Sequence, residues 1–172
     1  MISIINYGLG NINAFVNVYK SLNIDIKIIE NHKEIENAEK IILPGVGSFD
    51  KAIGLLESKY LLDSLKHAAL VKKVPILGVC VGMQILANSS EEGEKKGLGL
   101  IDGRILKFNK PSKENFPIPH MGWNNLKLVN DNKLLKNFQK DSYFYFLHSY
   151  YFECANSSNI ISKTNYISNF CS

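Results

Sequence analysis

A cysteine between two glycines is the part of this sequence best suited to chemistry. Residues 78–82 read Gly-Val-Cys-Val-Gly, preceded by the apolar run 74–77, which predicts a buried strand, and followed by 83–87, which predicts the start of a helix. A nucleophile on a sharp strand-to-helix turn needs small neighbours, because the strained backbone leaves no room for a Cβ atom. The pattern predicts Cys80 as a nucleophile. The alternative is a structural cysteine buried in a glycine-rich turn.

Backbone N–H groups near this cysteine are the second requirement of such chemistry. The free N–H groups at the start of a helix, beginning with that of Val81, stabilise a thiolate and can donate to an oxyanion. A second glycine-rich turn, with Gly45, Val46 and Gly47, directly follows another predicted strand. If both strands belong to an open parallel sheet, both turns lie at the strands' carboxyl ends, where ligands bind. We therefore predict that the second turn supplies further oxyanion donors; the alternative is a plain strand-to-helix turn.

The elements that position these turns alternate between strand and helix in the first part of the chain. Residues 1–6 are β-rich, and the segment 12–22 carries apolar residues at helical spacing. Residues 25–29 and 40–43 predict two further buried strands. This alternation indicates a parallel sheet with helices on both faces.

The pattern of predicted elements changes after residue 103. Before it, segments 49–58 and 61–71 predict two more helices; after it, the sequence predicts short strands joined by turns. The strands predicted there are 104–108, 125–129, 143–146, 150–154 and 160–162. We predict an α/β fold in which a mostly parallel sheet has an antiparallel or mixed extension, forming a single domain over residues 1–172.

Composition limits the class of protein. The chain has 172 residues, 45% hydrophobic and 21% charged, which is typical of a soluble globular domain. Its net charge of +4 comes from scattered lysines, and Arg104 is the single arginine, so nucleic-acid binding is not predicted. Three cysteines without a paired spacing indicate free thiols in a reducing compartment. The apolar start lacks a basic leader, so we predict no membrane segment and a cytoplasmic location.

No cofactor or metal is predicted. The Gly-Leu-Gly at residues 8–10 lacks the third glycine of a dinucleotide-binding fingerprint, since Asn13 occupies that position. The four histidines lie far apart in the sequence, and none has a ligand-like spacing.

Two aromatic-rich segments remain. Residues 119–124, Pro-His-Met-Gly-Trp-Asn, have the proline and glycine of a loop. Met121 and Trp123 are either core residues or an exposed surface for a partner. His148 and Ser149 end a predicted strand, where they either satisfy each other or hold a polar substrate.

Together, five segments carry a resemblance to a known family. They are 6–11, 44–49, 78–84, 119–124 and 148–151, in this order along the chain. The sequence resembles the glutaminase subunits of imidazole glycerol phosphate synthase, which are class I, triad-type glutamine amidotransferases of histidine biosynthesis.

The resemblance implies roles for particular residues. Cys80 would attack the glutamine side-chain amide, while Val81 and residues 45–47 would hold the oxyanion. The residues implied in glutamine binding are Gln84, Ser149 and Tyr150. The residues implied in facing a partner are Asn11, Met121 and Trp123. That partner is a (β/α)₈ synthase subunit, which receives the ammonia within a heterodimer; no cofactor is implied.

The sequence departs from this family in two places. Ile167 stands where the family has the glycine of a Tyr-Gly pair, and the 172 residues contain no His-Pro-Glu segment, which supplies the family's base and its orienting carboxylate. We therefore expect a C-terminally incomplete domain with little glutamine turnover, since losing the base of a subtilisin-type triad costs about 10⁶ in kcat. Two alternatives follow: a paralogue that feeds a sugar amidotransferase, and an inactive partner-binding subunit.

Overall fold

The computed structural model describes residues 1–109, 116–130, 132–138 and 142–172. These residues form two compact units, Met1–Leu100 and Ile101–Ser172. The single domain expected from the sequence stays a prediction.

The first unit contains a four-stranded parallel sheet. Its strands are β1 (Ile2–Ile5), β2 (Ile26–Ile29), β3 (Ile41–Gly45) and β4 (Ile76–Cys80), and their order in the sheet is β2-β1-β3-β4. Every residue of β3 is buried, as expected for a central strand of a parallel sheet. A two-residue strand, β5 (Ser89–Ser90), follows later in the chain.

Helices alternate with the parallel strands. They are α1 (Ile12–Ser21), α2 (His32–Glu36), α3 (Phe49–Ser58), α4 (Leu62–Leu70) and α5 (Val81–Gln84). The predicted bounds of α3 are confirmed, and those of α1 and α4 differ by one residue at one or both ends. The helix predicted after Cys80 is a single turn, which begins at Val81 rather than at residue 83.

The second unit is built of antiparallel strands. They are β6 (Gly103–Lys107), β7 (His120–Asn125), β8 (Lys127–Leu128), β9 (Tyr143–His148), β10 (Tyr150–Cys154), β11 (Ser162–Asn165) and β12 (Asn169–Cys171). Five of them form a sheet in the order β6-β10-β12-β11-β8, and β7 pairs with β9. The antiparallel strands expected after residue 103 are thus confirmed.

One element of the second unit differs from the sequence prediction. Residues 119–124, expected as a loop, contribute most of β7, and the strand predicted at 125–129 is reduced to β8 and the end of β7. β7 pairs along its whole length with β9, from His120 opposite His148 to Asn125 opposite Tyr143. The loop prediction was wrong because this distant pairing outweighs the local effect of a proline and a glycine.

Within the described part of the chain, no helix is long and apolar enough to cross a membrane.

Candidate active site

Cys80 lies at the junction between β4 and α5, with an exposed side chain. Its backbone has φ 57° and ψ −121°, a conformation that L-residues rarely adopt. Such strain costs of order 1–3 kcal/mol and persists only where the surroundings enforce it. The strand-turn-helix setting predicted for a nucleophile is therefore present, with the thiol projecting from the turn.

Neighbouring backbone explains the two glycines of the turn. A Cβ atom on Gly78 would lie 2.5 Å from the Cα atom of Met83, and one on Gly82 would overlap the carbonyl oxygen of Leu43. Both glycines are therefore required by space, as their spacing around Cys80 predicts. Because Gly78 and Gly82 have no side chains, α5 packs directly against the ends of β3 and β4.

The second glycine-rich turn lies beside Cys80. In the register of β3 and β4, Gly45 is the partner of Cys80. A Cβ atom on Gly45 would lie 2.9 Å from the carbonyl carbon of Val81, so glycine permits this close approach. Gly47 needs glycine for its conformation, since its φ is 95° and its Cβ position is open. The Val46 side chain is exposed.

Tyr7 supports the second glycine-rich turn, a role that was not predicted from the sequence. It is fully buried after β1, and its hydroxyl donates a 2.7 Å hydrogen bond to the carbonyl oxygen of Pro44, just before the second turn. Burial, and then the charge of Cys80, raise the pKa of Tyr7 well above its usual range. The hydrogen bond to Pro44 follows from the strand order: β1 neighbours β3, so the residue after β1 can reach the end of β3.

The remaining predicted residues of the first unit occupy different positions. Gln84 lies on α5, one turn beyond Val81, and is buried. Asn11 is exposed, and its side chain accepts a 3.1 Å hydrogen bond from the backbone N–H of Ala14. It thereby caps the N-terminus of α1, which is a structural role in itself.

In the second unit, Ser149 is the one residue that connects β9 to β10. The carbonyl oxygen of Ser149 accepts a 3.1 Å hydrogen bond from the N–H of Phe108. Tyr150 begins β10, opposite Lys107 of β6. The two residues predicted to bind glutamine are thus held at a junction between paired strands.

The exposed face of the β7–β9 pair is apolar. Met121 and Trp123 are 61% and 70% exposed, so they are not core residues. They lie opposite Leu147 and Tyr145 of β9, which are also exposed, and the rings of Trp123 and Tyr145 meet edge to face. Only Met121 and Trp123 of this face could be suspected from the sequence, because the contribution of β9 depends on the strand register.

The opposite face of the same strand pair holds two histidines. His120 and His148 are partners in the register, with His120 Nδ1 and His148 Nε2 3.0 Å apart. Their separation in the sequence gave no sign of this contact. Among the described residues, no group of three or more histidine, cysteine or acidic side chains is arranged to hold a metal ion.

Comparisons with known proteins agree with this geometry. The family model described as glutamine amidotransferase class-I matches residues 3–170. Two solved glutamine amidotransferases share the fold. One has a TM-score of 0.71 at 14% identity, and the match covers 95% of this chain and 80% of the solved chain. The other, from Thermotoga maritima, has a TM-score of 0.66 at 17% identity, covering 98% and 68%. The chain is a class I glutamine amidotransferase in fold and family, as the sequence predicts.

Closer relatives define the branch of that family. The chain is 48% identical to the imidazole glycerol phosphate synthase subunit HisH of Leptospira interrogans, over 99% of this chain and 84% of the relative. It is 45% identical to subunit HisH 2 of Methanococcus maripaludis, over 100% of this chain and 84% of the relative. Within the class I glutamine amidotransferases, the chain belongs to the HisH subunits of imidazole glycerol phosphate synthase.

Proposed function

We propose that this protein hydrolyses glutamine to glutamate and ammonia at Cys80, and that the ammonia is used to make imidazole glycerol phosphate in histidine biosynthesis. The observation that carries the proposal is the strained Cys80 turn packed against Gly45, in a chain nearly half identical to HisH subunits. That identity favours the histidine pathway over the sugar amidotransferase alternative.

The chemistry begins at the exposed thiol. The sulfur of Cys80 adds to the side-chain amide carbon of glutamine, and the carbonyl oxygen becomes an oxyanion. The backbone N–H groups of Val81 and residues 45–47 donate to that oxygen. The C–N bond then breaks, the leaving nitrogen takes up the proton that the thiol gave up, and ammonia leaves behind a glutamyl thioester. Water hydrolyses the thioester, which releases glutamate and restores the thiol.

Gln84, Ser149 and Tyr150 hold the α-amino and α-carboxylate groups of the substrate in this proposal. Ammonia loss needs a proton donor. We do not assign that role to His120 or His148, because their ring nitrogens are hydrogen-bonded to each other and to the carbonyl of Tyr150.

The protein acts as one subunit of a heterodimer in this proposal. Its partner is a (β/α)₈ synthase subunit, which receives the ammonia without release to solvent. The exposed apolar face around Met121 and Trp123 supports a partner surface there, and the exposed Asn11 is also assigned to contact with the partner. The free cysteines support a cytoplasmic location, where thiols stay reduced.

Covalent labelling tests the proposal. The protein, bound to its synthase partner, is treated with a glutamine analogue that carries an electrophilic carbon in place of the amide, and is digested for mass spectrometry. We expect one equivalent of adduct on Cys80. Cys154 and Cys171 are internal controls, because burial raises the pKa of both thiols, that of Cys171 to about 12.

Two variants complete this test. Cys80→Ser should abolish the adduct, and Cys154→Ser should leave it unchanged. Partner binding without labelling of Cys80 would instead support the inactive partner-binding subunit. Ammonia transfer to a sugar substrate would support the paralogue.

A further inference from the structure

We infer that His120 and His148 form a hydrogen-bonded relay that positions the glutamine-holding residues Ser149 and Tyr150 and ties them to β7, the strand of the partner face. The inference rests on the proposed function, because it concerns how the same site is held. It makes both histidines positioning residues rather than catalytic ones.

The relay runs across two strands to one backbone carbonyl. His120 Nδ1 lies 3.0 Å from His148 Nε2, and His148 Nδ1 lies 2.8 Å from the carbonyl oxygen of Tyr150. At the other end, the Asn124 side-chain nitrogen lies 3.3 Å from His120 Nε2. The same nitrogen donates a 3.0 Å hydrogen bond to the carbonyl of Asn165.

The Tyr150 carbonyl at one end of the relay and the Asn124 amide at the other fix the direction of every hydrogen bond. A carbonyl oxygen only accepts, so His148 carries its proton on Nδ1. In the neutral ring Nε2 is then an acceptor, and His120 must donate to it from its own Nδ1. His120 Nε2 accepts in turn from the amide of Asn124. Only two neutral rings of this tautomer satisfy all three contacts, since a proton on His148 Nε2 would face the N–H of His120.

The surroundings of the two rings favour that neutral state. His120 is 3% exposed and lies between the rings of Phe146 and Tyr166, stacked at centroid distances of 4.8 and 4.0 Å. Phe170 packs against both histidines. Burial lowers the pKa of both rings, and the charge of His148 further lowers that of His120, to about 4.

Alternation along β7 connects the relay to the partner face. Met121 and Trp123 are exposed, whereas His120 is buried on the opposite face of the strand. A partner that binds the exposed face therefore holds the strand from which His120 reaches His148. The position of the Tyr150 carbonyl, and with it the Ser149–Tyr150 connection, depends on that strand.

Glutamine binding to His148 variants tests the relay. Affinity is measured by calorimetry in the Cys80→Ser background, with the synthase partner bound, so that no turnover occurs. His148→Phe keeps an aromatic ring at this position but removes both hydrogen bonds, and should raise the Kd about tenfold, as expected for one net hydrogen bond. His148→Asn places an amide N–H near the position of Nδ1, and should restore the Kd to within about threefold.

Tyr166→Phe is the matched control. It keeps the ring that stacks on His120 but removes the 2.7 Å hydrogen bond from the Tyr166 hydroxyl to the Pro117 carbonyl, which lies outside the relay. Its Kd for glutamine should equal that of the parent protein. An equal loss of affinity in this control and in His148→Phe would overturn the relay, because general loosening of the aromatic cluster would then explain both.

Nitrogen-15 spectra of the two rings give an independent readout. The relay requires both histidines to carry their proton on Nδ1 at neutral pH, and a proton on Nε2 of His148 would overturn it. The failure of this inference is also distinct from that of the proposed function. If the Cys80→Ser protein does not bind glutamine, both are wrong; if it binds and His148→Phe binds equally well, only the relay is wrong.

Discussion

At the scale of single residues, Gly82 shows how closely the nucleophile turn packs. Gly82→Ala would place a Cβ atom against the Leu43 carbonyl, so we expect a loss of stability of about 3 kcal/mol. Urea unfolding measures this loss, and Cys80 labelling should fall with it. Gly54→Ala is the control, because its Cβ atom would meet only the flexible end of Lys95 at 3.7 Å. That change within α3 should raise stability by up to about 1 kcal/mol.

Tyr7 carries a second prediction at this scale. Tyr7→Phe removes the hydroxyl that donates to the Pro44 carbonyl, and with it one buried hydrogen bond. We expect a loss of about 1–2 kcal/mol in urea unfolding. Because Pro44 directly precedes the proposed oxyanion donors, Cys80 should form its adduct with the glutamine analogue more slowly in this variant. An unchanged labelling rate in a destabilised variant would limit Tyr7 to a purely structural role.

A functional residue can be predicted from the sequence when the residues around it in the structure are also close to it in the sequence. Cys80 could be found because its flanking glycines lie two residues away, and their steric role is confirmed. Tyr7 could not, because its partner is 37 residues further along the chain. The contact between His120 and His148 was missed for the same reason, since it depends on the register of β7 and β9.

At the scale of elements, the charged loop 91–96 is held by α3. The Asp50 carboxylate accepts 3.0 Å hydrogen bonds from the N–H groups of Glu94 and Lys95, which lower its pKa. Glu92 accepts from the N–H of Phe49 and so completes the start of α3, where the Ser48 side chain makes no capping bond. Asp50→Asn should therefore speed amide hydrogen exchange at residues 94 and 95. Unchanged exchange there would contradict this anchoring.

The β7–β9 pair should be sensitive to acid. The pKa of His120 is lowered from 6.5 to about 4 by burial and by His148, so the unfolded chain binds a proton at a higher pH than the folded chain. The stability that depends on neutral His120 is fully present above pH 6.5 and is lost as the pH falls towards about 4. Urea midpoints between about pH 7.5 and about pH 5 should fall less for His120→Phe than for the parent protein. Parallel slopes would contradict the prediction.

Helices and strands also differ in how far the sequence predicts them. The apolar spacing of α3 lies within ten residues, and its bounds are confirmed. β7 is different, because the proline and glycine of residues 119–124 indicate a loop, while the residues that pair with β7 lie 18 to 28 positions further along the chain. β7 is a strand because it pairs with β9, and no local sequence pattern in β7 shows that pairing.

At the scale of the whole molecule, the exposed apolar face of β7 and β9 is the feature that bears on assembly with a partner. Trp123, Tyr145, Met121 and Leu147 are each more than half exposed, and they are neighbours in one strand pair. Exposed apolar patches of this kind mark sites of protein association, and tryptophan and tyrosine dominate the energy of such sites. This agrees with the proposed role of the chain as one subunit of a synthase.

Trp123→Ala should weaken binding to the synthase subunit by about 2 kcal/mol, or about 30-fold in Kd, measured by calorimetry. Its unfolding midpoint should change little, because the side chain is 70% exposed in the isolated chain. Tyr60→Asn is the control: Tyr60 is 84% exposed in the other unit, and asparagine tolerates its φ of 58°. Equal binding by the parent protein and Trp123→Ala would place the partner on another surface. Partner binding would then not act on β7, and the link proposed through His120 would not connect the partner to the glutamine site.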